Sequence, residues 1–159
     1  MKLRDSLFTG FPVLRVSRQI LQACMDNTVN LKAYKMGGKP DLDSDSAEWT
    51  RTDCSGYVRW ILHRASLDKP IMPEGSANQR DWCLQKGFKP TDYSNTGELD
   101  GRLRISFLPA RRGKAGHVWL CWNGRTIESR GGRGPTRRAW DTPVLKNQVA
   151  ITFVLTDSL

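Results

Sequence analysis

The stretch Thr52-Asp53-Cys54-Ser55-Gly56-Tyr57-Val58-Arg59-Trp60-Ile61-Leu62-His63-Arg64-Ala65 decides how the chain is read. Tyr57, Val58, Ile61, Leu62 and Ala65 recur at helical spacing on one face, which predicts a helix over 53–65. Thr52 or Asp53 can cap its start, and Pro70 and Pro73 lie beyond its end. Cys54 therefore falls in the first turn. There the unpaired N–H groups and the helix dipole favour a thiolate over a thiol. Ser55 and Gly56 are small enough to let a substrate approach, and the backbone N–H groups at that point can hold an oxyanion. Cys54 is the candidate nucleophile.

A nucleophilic thiol needs a base, and the chain has two histidines. His63 lies on the same helix, roughly 13 Å further along its axis and on the opposite face, so it cannot reach Cys54. His117 opens an apolar run, 117–122, that reads as a strand. Asn123-Gly124 is a two-residue hairpin signal, and 125–129 returns as the partner strand. That turn pairs Trp119 with Glu128 and Val118 with Ser129. Side chains alternate along a strand, so His117, Trp119 and Glu128 share one face while Ser129 takes the other. Glu128 is thereby favoured to orient the imidazole; a register slip of one residue would put Ser129 there instead. A lone cysteine at a helix start is more often a small buried hydrophobe. Its combination with a histidine at a strand start is what points to catalysis.

The rest of the chain sets the frame. Residues 1–12 read as an irregular lead-in. Ile20, Leu21, Cys24, Met25, Val29 and Leu31 predict a helix over 16–34, ended by Gly37-Gly38. Residues 39–51 are a polar loop. Asp41, Asp43 and Asp45 there miss the calcium-loop template, because Ser46 stands where glycine is needed and Thr52 where glutamate is. A short helix is expected over 77–86. Leu103, Ile105 and Phe107 alternate with polar residues up to Pro109, and 110–116 is a basic turn. Residues 131–135, rich in glycine and containing Pro135, read as a loop, and 150–155 as a final strand. Helices precede an antiparallel sheet, an α+β order, in one domain over 1–159.

Composition narrows the function classes. The chain has 159 residues, 38% hydrophobic with six tryptophans, which suits a globular domain with its own core. No apolar run approaches a membrane span. The N-terminus, Met1-Lys2-Leu3-Arg4-Asp5, lacks the apolar stretch of a signal peptide. The four cysteines form no C-x-x-C pair and the histidines lie far apart, so neither a zinc site nor any other cofactor is called for. The spread of cysteines suits a reducing compartment. A formal charge of +9 attracts polyanions: nucleic acid, anionic lipid or an anionic cell wall. Two basic clusters, Arg111-Arg112-Gly113-Lys114 and Arg130, Arg133, Arg137 and Arg138, are the only basis for a nucleic-acid-binding module. No recognised motif accompanies them, and solvated loops are their default reading.

Four segments, in order, resemble the NlpC-type cell-wall peptidases, a papain-like cysteine peptidase family. Tyr34-Lys35-Met36-Gly37-Gly38 resembles the family's Tyr-x-x-Gly-Gly, and Asp53-Cys54-Ser55-Gly56-Tyr57-Val58 its nucleophile motif. Pro73-Glu74-Gly75-Ser76-Ala77-Asn78-Gln79 resembles its Pro-Arg-x-Ser-x-x-Gln, and His117-Val118-Trp119-Leu120 with Asn123-Gly124 and Ile127-Glu128 its histidine hairpin. The likeness spans about residues 16 to 130. It implies a small papain-like α+β domain in which Cys54 is the nucleophile, His117 the base and Glu128 the third member. Tyr34, Asp53, Ser55 and Ser76 would line the substrate groove. It also implies hydrolysis of an amide in the peptidoglycan stem peptide, of the D-glutamyl-diamino acid endopeptidase type. N-acetylmuramoyl-L-alanine amidase, or another thiol amidase or acyltransferase, is the enzymic alternative. Without a signal peptide, such an enzyme would be made in the cytoplasm and reach the wall by lysis, in a phage particle or through secretion machinery. The sequence departs from the family at Glu74, where arginine is usual, and at Glu128, where histidine, asparagine or glutamine is usual. It also departs at Trp119, where a small residue is usual; the indole would narrow the cleft or stack on substrate.

Overall fold

The computed structural model describes residues 2–147 and 151–159. Two short strands, β1 (Arg4–Asp5) and β2 (Pro12–Val13), pair antiparallel within the stretch expected to be irregular. Helix α1 (Arg18–Asp26) starts at Ser17, whose side chain accepts the Ile20 N–H. It stops well short of the expected limit at Tyr34. Asn30 adopts a left-handed φ of 61°, and the buried Thr28 hydroxyl is drawn into bonds with the Cys24 carbonyl and the Tyr57 hydroxyl, each 2.6 Å. These tertiary bonds outweigh the apolar periodicity that suggested more helix. The chain instead enters β3 (Ala33–Tyr34), which runs parallel to β4 (Arg51–Thr52). Between them the loop carries one 3-10 turn, Ser46–Glu48, capped by Asp45.

Helix α2 (Cys54–Ala65) begins where the sequence places it. Asp53 is the cap, its Oδ1 accepting the Gly56 N–H at 2.7 Å. Tyr57, Val58, Ile61, Leu62 and Ala65 are all buried. Each large apolar side chain so removed from water contributes about 1.5–3 kcal/mol. Helix α3 (Ser76–Lys86) follows, closed by Gly87 at a left-handed φ of 78°.

The remaining elements are β5 (Lys89–Thr91), β6 (Leu103–Leu108), β7 (His117–Trp122), β8 (Arg125–Arg130), β9 (Gly134–Thr136), α4 (Pro143–Lys146) and β10 (Ile151–Val154). Among the described residues the strands form a six-stranded antiparallel sheet in the order β5-β10-β6-β7-β8-β9. The expected start of the last strand, Ala150, lies outside the described residues. β9 corrects the loop reading of 131–135: Pro135 pairs with Ser129 at the sheet edge, where a missing N–H can be tolerated. At the β7–β8 turn Asn123 and Gly124 both have positive φ, 50° and 75°. The pairs Leu120–Ile127, Cys121–Thr126 and Trp122–Arg125 fix the register that sets Trp119 opposite Glu128.

Leu103, Ile105, Phe107, Val118, Leu120, Ile127 and Phe153 share one core with the apolar residues of α1 and α2. The other sheet face is not the solvated one that alternation along β6 suggests. Arg104, Ser106, Thr126 and Glu128 on it are buried. The turn Tyr93–Gly97 and Trp140 contribute to its cover: Tyr93 packs edge-on to Trp119 and donates its hydroxyl to the Trp140 carbonyl at 2.6 Å. The polar groups beneath are paired among themselves, Ser106 with Thr152 at 2.8 Å and Arg104 with Asp100.

Gly56 is where the fold tolerates least addition. A Cβ there would stand 2.7 Å from the Gly38 carbonyl oxygen and 3.0 Å from the capping Asp53 oxygen. Gly56→Ala is expected to destabilise by about 1–3 kcal/mol in urea unfolding. Gly131→Ala, at a site with open space around it, is expected to shift the midpoint little.

Candidate active site

The start of α2 is held from three directions. The turn at Gly37-Gly38 packs against it, with the Asp53 N–H donating to the Gly38 carbonyl at 2.8 Å and the Gly37 N–H to Asp53 Oδ2 at 3.2 Å. Ser129 on β8 donates its hydroxyl to the Thr52 carbonyl at 3.0 Å. Buried Gln79 on α3 donates to the Ser55 carbonyl at 3.0 Å and the Pro73 carbonyl at 3.1 Å. A helix start leaves four N–H groups without intrahelical partners. Here Gly38 takes that of Asp53, and the Asp53 carboxylate takes that of Gly56. The N–H groups of Cys54 and Ser55 remain, beside the thiol, as candidate oxyanion donors.

His117 meets this thiol. Its Nε2 lies 2.9 Å from Glu128 Oε1, which leaves Nδ1 as the nitrogen for Cys54. Burial works against the imidazolium. Hydrogen bonds that the ring N–H groups donate to the Cys54 and Glu128 side chains, and the negative charge of those partners, overcome it and push the His117 pKa up to about 9. Glu128 has no exposed surface. Burial alone would favour its neutral form. Instead the hydrogen bonds from His117 and Arg138 hold its pKa down at about 2. Arg138 grips the carboxylate with two bonds, Nε to Oε2 at 2.9 Å and Nη2 to Oε1 at 3.0 Å. Glu128 is thus a carboxylate, and the His117 Nε2–H donates to it. The two shifts bracket a pH window for stability. The raised histidine contributes fully below its ordinary 6.5 and stops contributing as pH rises through about 9. The depressed carboxylate contributes above its ordinary 4.5 and stops as pH falls through about 2.

The structure brings most of the expected site residues together. Cys54, His117 and Glu128 form one chain of contacts, and Ser129 points away from it to Thr52, as strand alternation requires. Trp119 corrects an expectation. It is fully buried and neither narrows a cleft nor offers a face to substrate; it stacks on the His117 ring, with centroids 5.3 Å apart. Tyr34 is half-buried, and its hydroxyl is pushed up by burial and by the negative charge of Cys54 and Asp53. Ser76 opens α3, and Gly116 passes so close that a Cβ there would stand 2.8 Å from Ser76 Oγ. Asp53 and Ser55 are buried and already engaged. Lys39, which motif spacing did not single out, places its Nζ 2.7 Å from Asp53 Oδ2 and 2.9 Å from Ser55 Oγ. Glu74 is exposed at 4.0 Å from Arg59. His63 is occupied elsewhere, with Pro70 and Asp43. Arg138 belonged to a basic cluster in the sequence, and only the unforeseen strand β9 carries it back to Glu128.

No protein-family model matches this sequence, and no curated protein matches it. Solved structures do. A lipoprotein-like protein of the NLP/P60 family from Staphylococcus aureus superposes with a TM-score of 0.56 at 16% identity, over 90% of this chain. The chain spans only 44% of that protein's length. The P60 domain of an antigen from M. avium subspecies paratuberculosis superposes with a TM-score of 0.51 at 20% identity, over 88% of this chain and 95% of that one. The chain has an NlpC/P60-type fold.

Replacing Arg138 by methionine would leave a buried carboxylate with half its partners. Arg138→Met is expected to lower the urea midpoint at neutral pH, at a cost on the order of 3–5 kcal/mol. Arg138→Lys is expected to recover only part of it, because an ammonium cannot reproduce the planar two-bond grip.

Proposed function

We propose that the protein is a cysteine hydrolase that cleaves an amide bond in the peptidoglycan stem peptide, between D-glutamate and the diamino acid. The observation that carries this reading is the His117 imidazole, poised between the Cys54 thiol and a buried carboxylate that Arg138 keeps charged. The NlpC/P60-type fold and the four family-like segments support the choice of substrate. The +9 charge suits an anionic wall.

In this reading His117 holds the proton of Cys54, so sulfur attacks the carbonyl carbon as a thiolate. The carbonyl oxygen becomes an oxyanion, stabilised by the N–H groups of Cys54 and Ser55. As the C–N bond breaks, His117 passes its proton to the departing amine, leaving an acyl-thioester on Cys54. Water, deprotonated by His117, then releases the acid and the free thiol. Glu128 keeps the ring in the required tautomer and stabilises the imidazolium at both stages. Tyr34 borders the acyl side of the cleft and Ser76 the side of the departing amine. Asp53, Ser55 and Lys39 act as one paired polar wall between them.

Purified sacculi test the reading. Wild-type protein is expected to release split stems, identified by mass, and Cys54→Ala none. Equal release by both would sink the nucleophile, and a free lactyl group on muramic acid would make the enzyme an amidase. Activity is expected to fall as pH rises through about 9, where His117 loses the proton it must give to the amine. A rate that holds steady through that range would contradict its role.

A further inference from the structure

Helix α3 turns Gln79 and Cys83 inwards, where both are buried. A second set, Asn78, Asp81, Trp82 and Gln85, follows the i, i+3, i+4, i+7 spacing that lines one helix face. In a globular domain that spacing usually marks the apolar face turned to the core. Here it is polar apart from one indole, and it walls a groove of about 570 Å³. That size is within the range of small-molecule sites, about 300–1,000 Å³. Arg59 of α2 and the segment 71–73 form the opposite wall. The two walls are tied together, because Gln79 donates to the Pro73 carbonyl at 3.1 Å as well as to the Ser55 carbonyl on α2.

The groove offers hydrogen-bonding groups that the protein does not use. The Trp82 indole N–H and the Gln85 side-chain amide have no protein partner among the described residues. Asn78 donates its Nδ2 to the Glu74 carbonyl at 3.0 Å, which leaves its Oδ1 to accept. Apolar surface stands beside them. Ile71 is 72% exposed, and Trp82 is held in place by Phe88, with ring centroids 5.7 Å apart. The two charges in the walls each have an opposite charge nearby, Arg59 with Glu74 at 4.0 Å and Asp81 with Arg80 at 3.5 Å. In a protein of net charge +9, this groove is locally balanced, which favours a neutral ligand over a polyanion. A saccharide has the matching make-up: apolar C–H faces for the indole, and hydroxyls that both donate and accept. An acetamido group adds an amide for the two carboxamides and a methyl group for Ile71.

We propose that this groove is a carbohydrate-binding site that takes a neutral saccharide chain carrying N-acetylated amino sugars. The choice of N-acetylated over plain sugars rests partly on the hydrolase reading, since a wall glycan carries them. The site itself requires no chemistry at Cys54.

The test is binding of tri-N-acetylchitotriose and maltotriose to the full chain carrying Cys54→Ala. It is followed by calorimetry and by the NMR signal of the Trp82 indole N–H, assigned by its loss in Trp82→Phe. Tri-N-acetylchitotriose is expected to shift that signal saturably, and maltotriose to leave it in place. Gln85→Ala, Asn78→Ala and Trp82→Phe, the last of which keeps a ring against Phe88, are each expected to weaken binding about fivefold to tenfold. Leu84→Ala, on the same helix but outside the groove, is expected to bind as before. No saturable shift, equal binding of both sugars, or unchanged affinity in the three groove variants overturns the proposal. So does a sugar-free stem peptide that moves the same signal as strongly. Stem cleavage by the wild type is scored separately. Sugar binding without cleavage keeps the groove and removes the hydrolase, and cleavage without sugar binding does the reverse.

Discussion

A carboxylate with no exposed surface costs several kcal/mol of lost hydration unless the fold returns equivalent bonds. Glu128 is in that position, and two side chains answer it: Arg138 with a two-bond grip and His117 with one ring N–H. Much else follows from this requirement. Arg138 can reach only because β9 turns the chain back along β8 after Gly134. The Tyr93–Gly97 turn and Trp140 help cover the polar sheet face. Trp119 fixes the imidazole plane from beneath. The energetic demand of one buried acid thereby sets the orientation of the histidine.

The second half of the site is fixed by backbone. Cys54 has its place because Gly56 and Gly38 allow the helix start and the 37–38 turn to meet closely, and Asp53 closes that joint by capping α2. Ser129 ties the same point to β8, one residue from Glu128 but facing the other way. Two adjacent residues on one strand thus serve the two halves of the site: Glu128 holds the His117 ring and Ser129 holds the strand leading to Cys54. This explains how a helix and a sheet far apart in sequence keep one side-chain contact.

The helix 53–65 and the hairpin around Asn123-Gly124 were legible because each combines strong periodicity with an unambiguous cap or turn. From the hairpin alone the pairing of His117 with Glu128, rather than Ser129, could be worked out by counting. The limits of legibility are equally physical. The end of α1 depends on Thr28 reaching Tyr57, a contact between distant residues that local pattern does not contain. β9 escaped notice because Pro135 reads as a breaker unless the strand is known to lie at an edge. Arg138 and Lys39 were invisible as site residues for the same reason: each owes its role to a long-range ion pair, with Glu128 and with Asp53. Strand alternation gives the face of Trp119, but the cover that Tyr93 lays over that face comes from a distant turn, so local pattern does not show that the indole stacks on the histidine ring.

The central claim is that Cys54 and Glu128 together keep His117 protonated at neutral pH. The direct measurement is an NMR pH titration of the His117 ring protons, assigned by comparison with His117→Gln. The structure predicts a midpoint near 9, moving down in Glu128→Gln as the imidazolium loses its buried partner. A midpoint at the ordinary 6.5 in the wild-type protein, unmoved by Glu128→Gln, would contradict it.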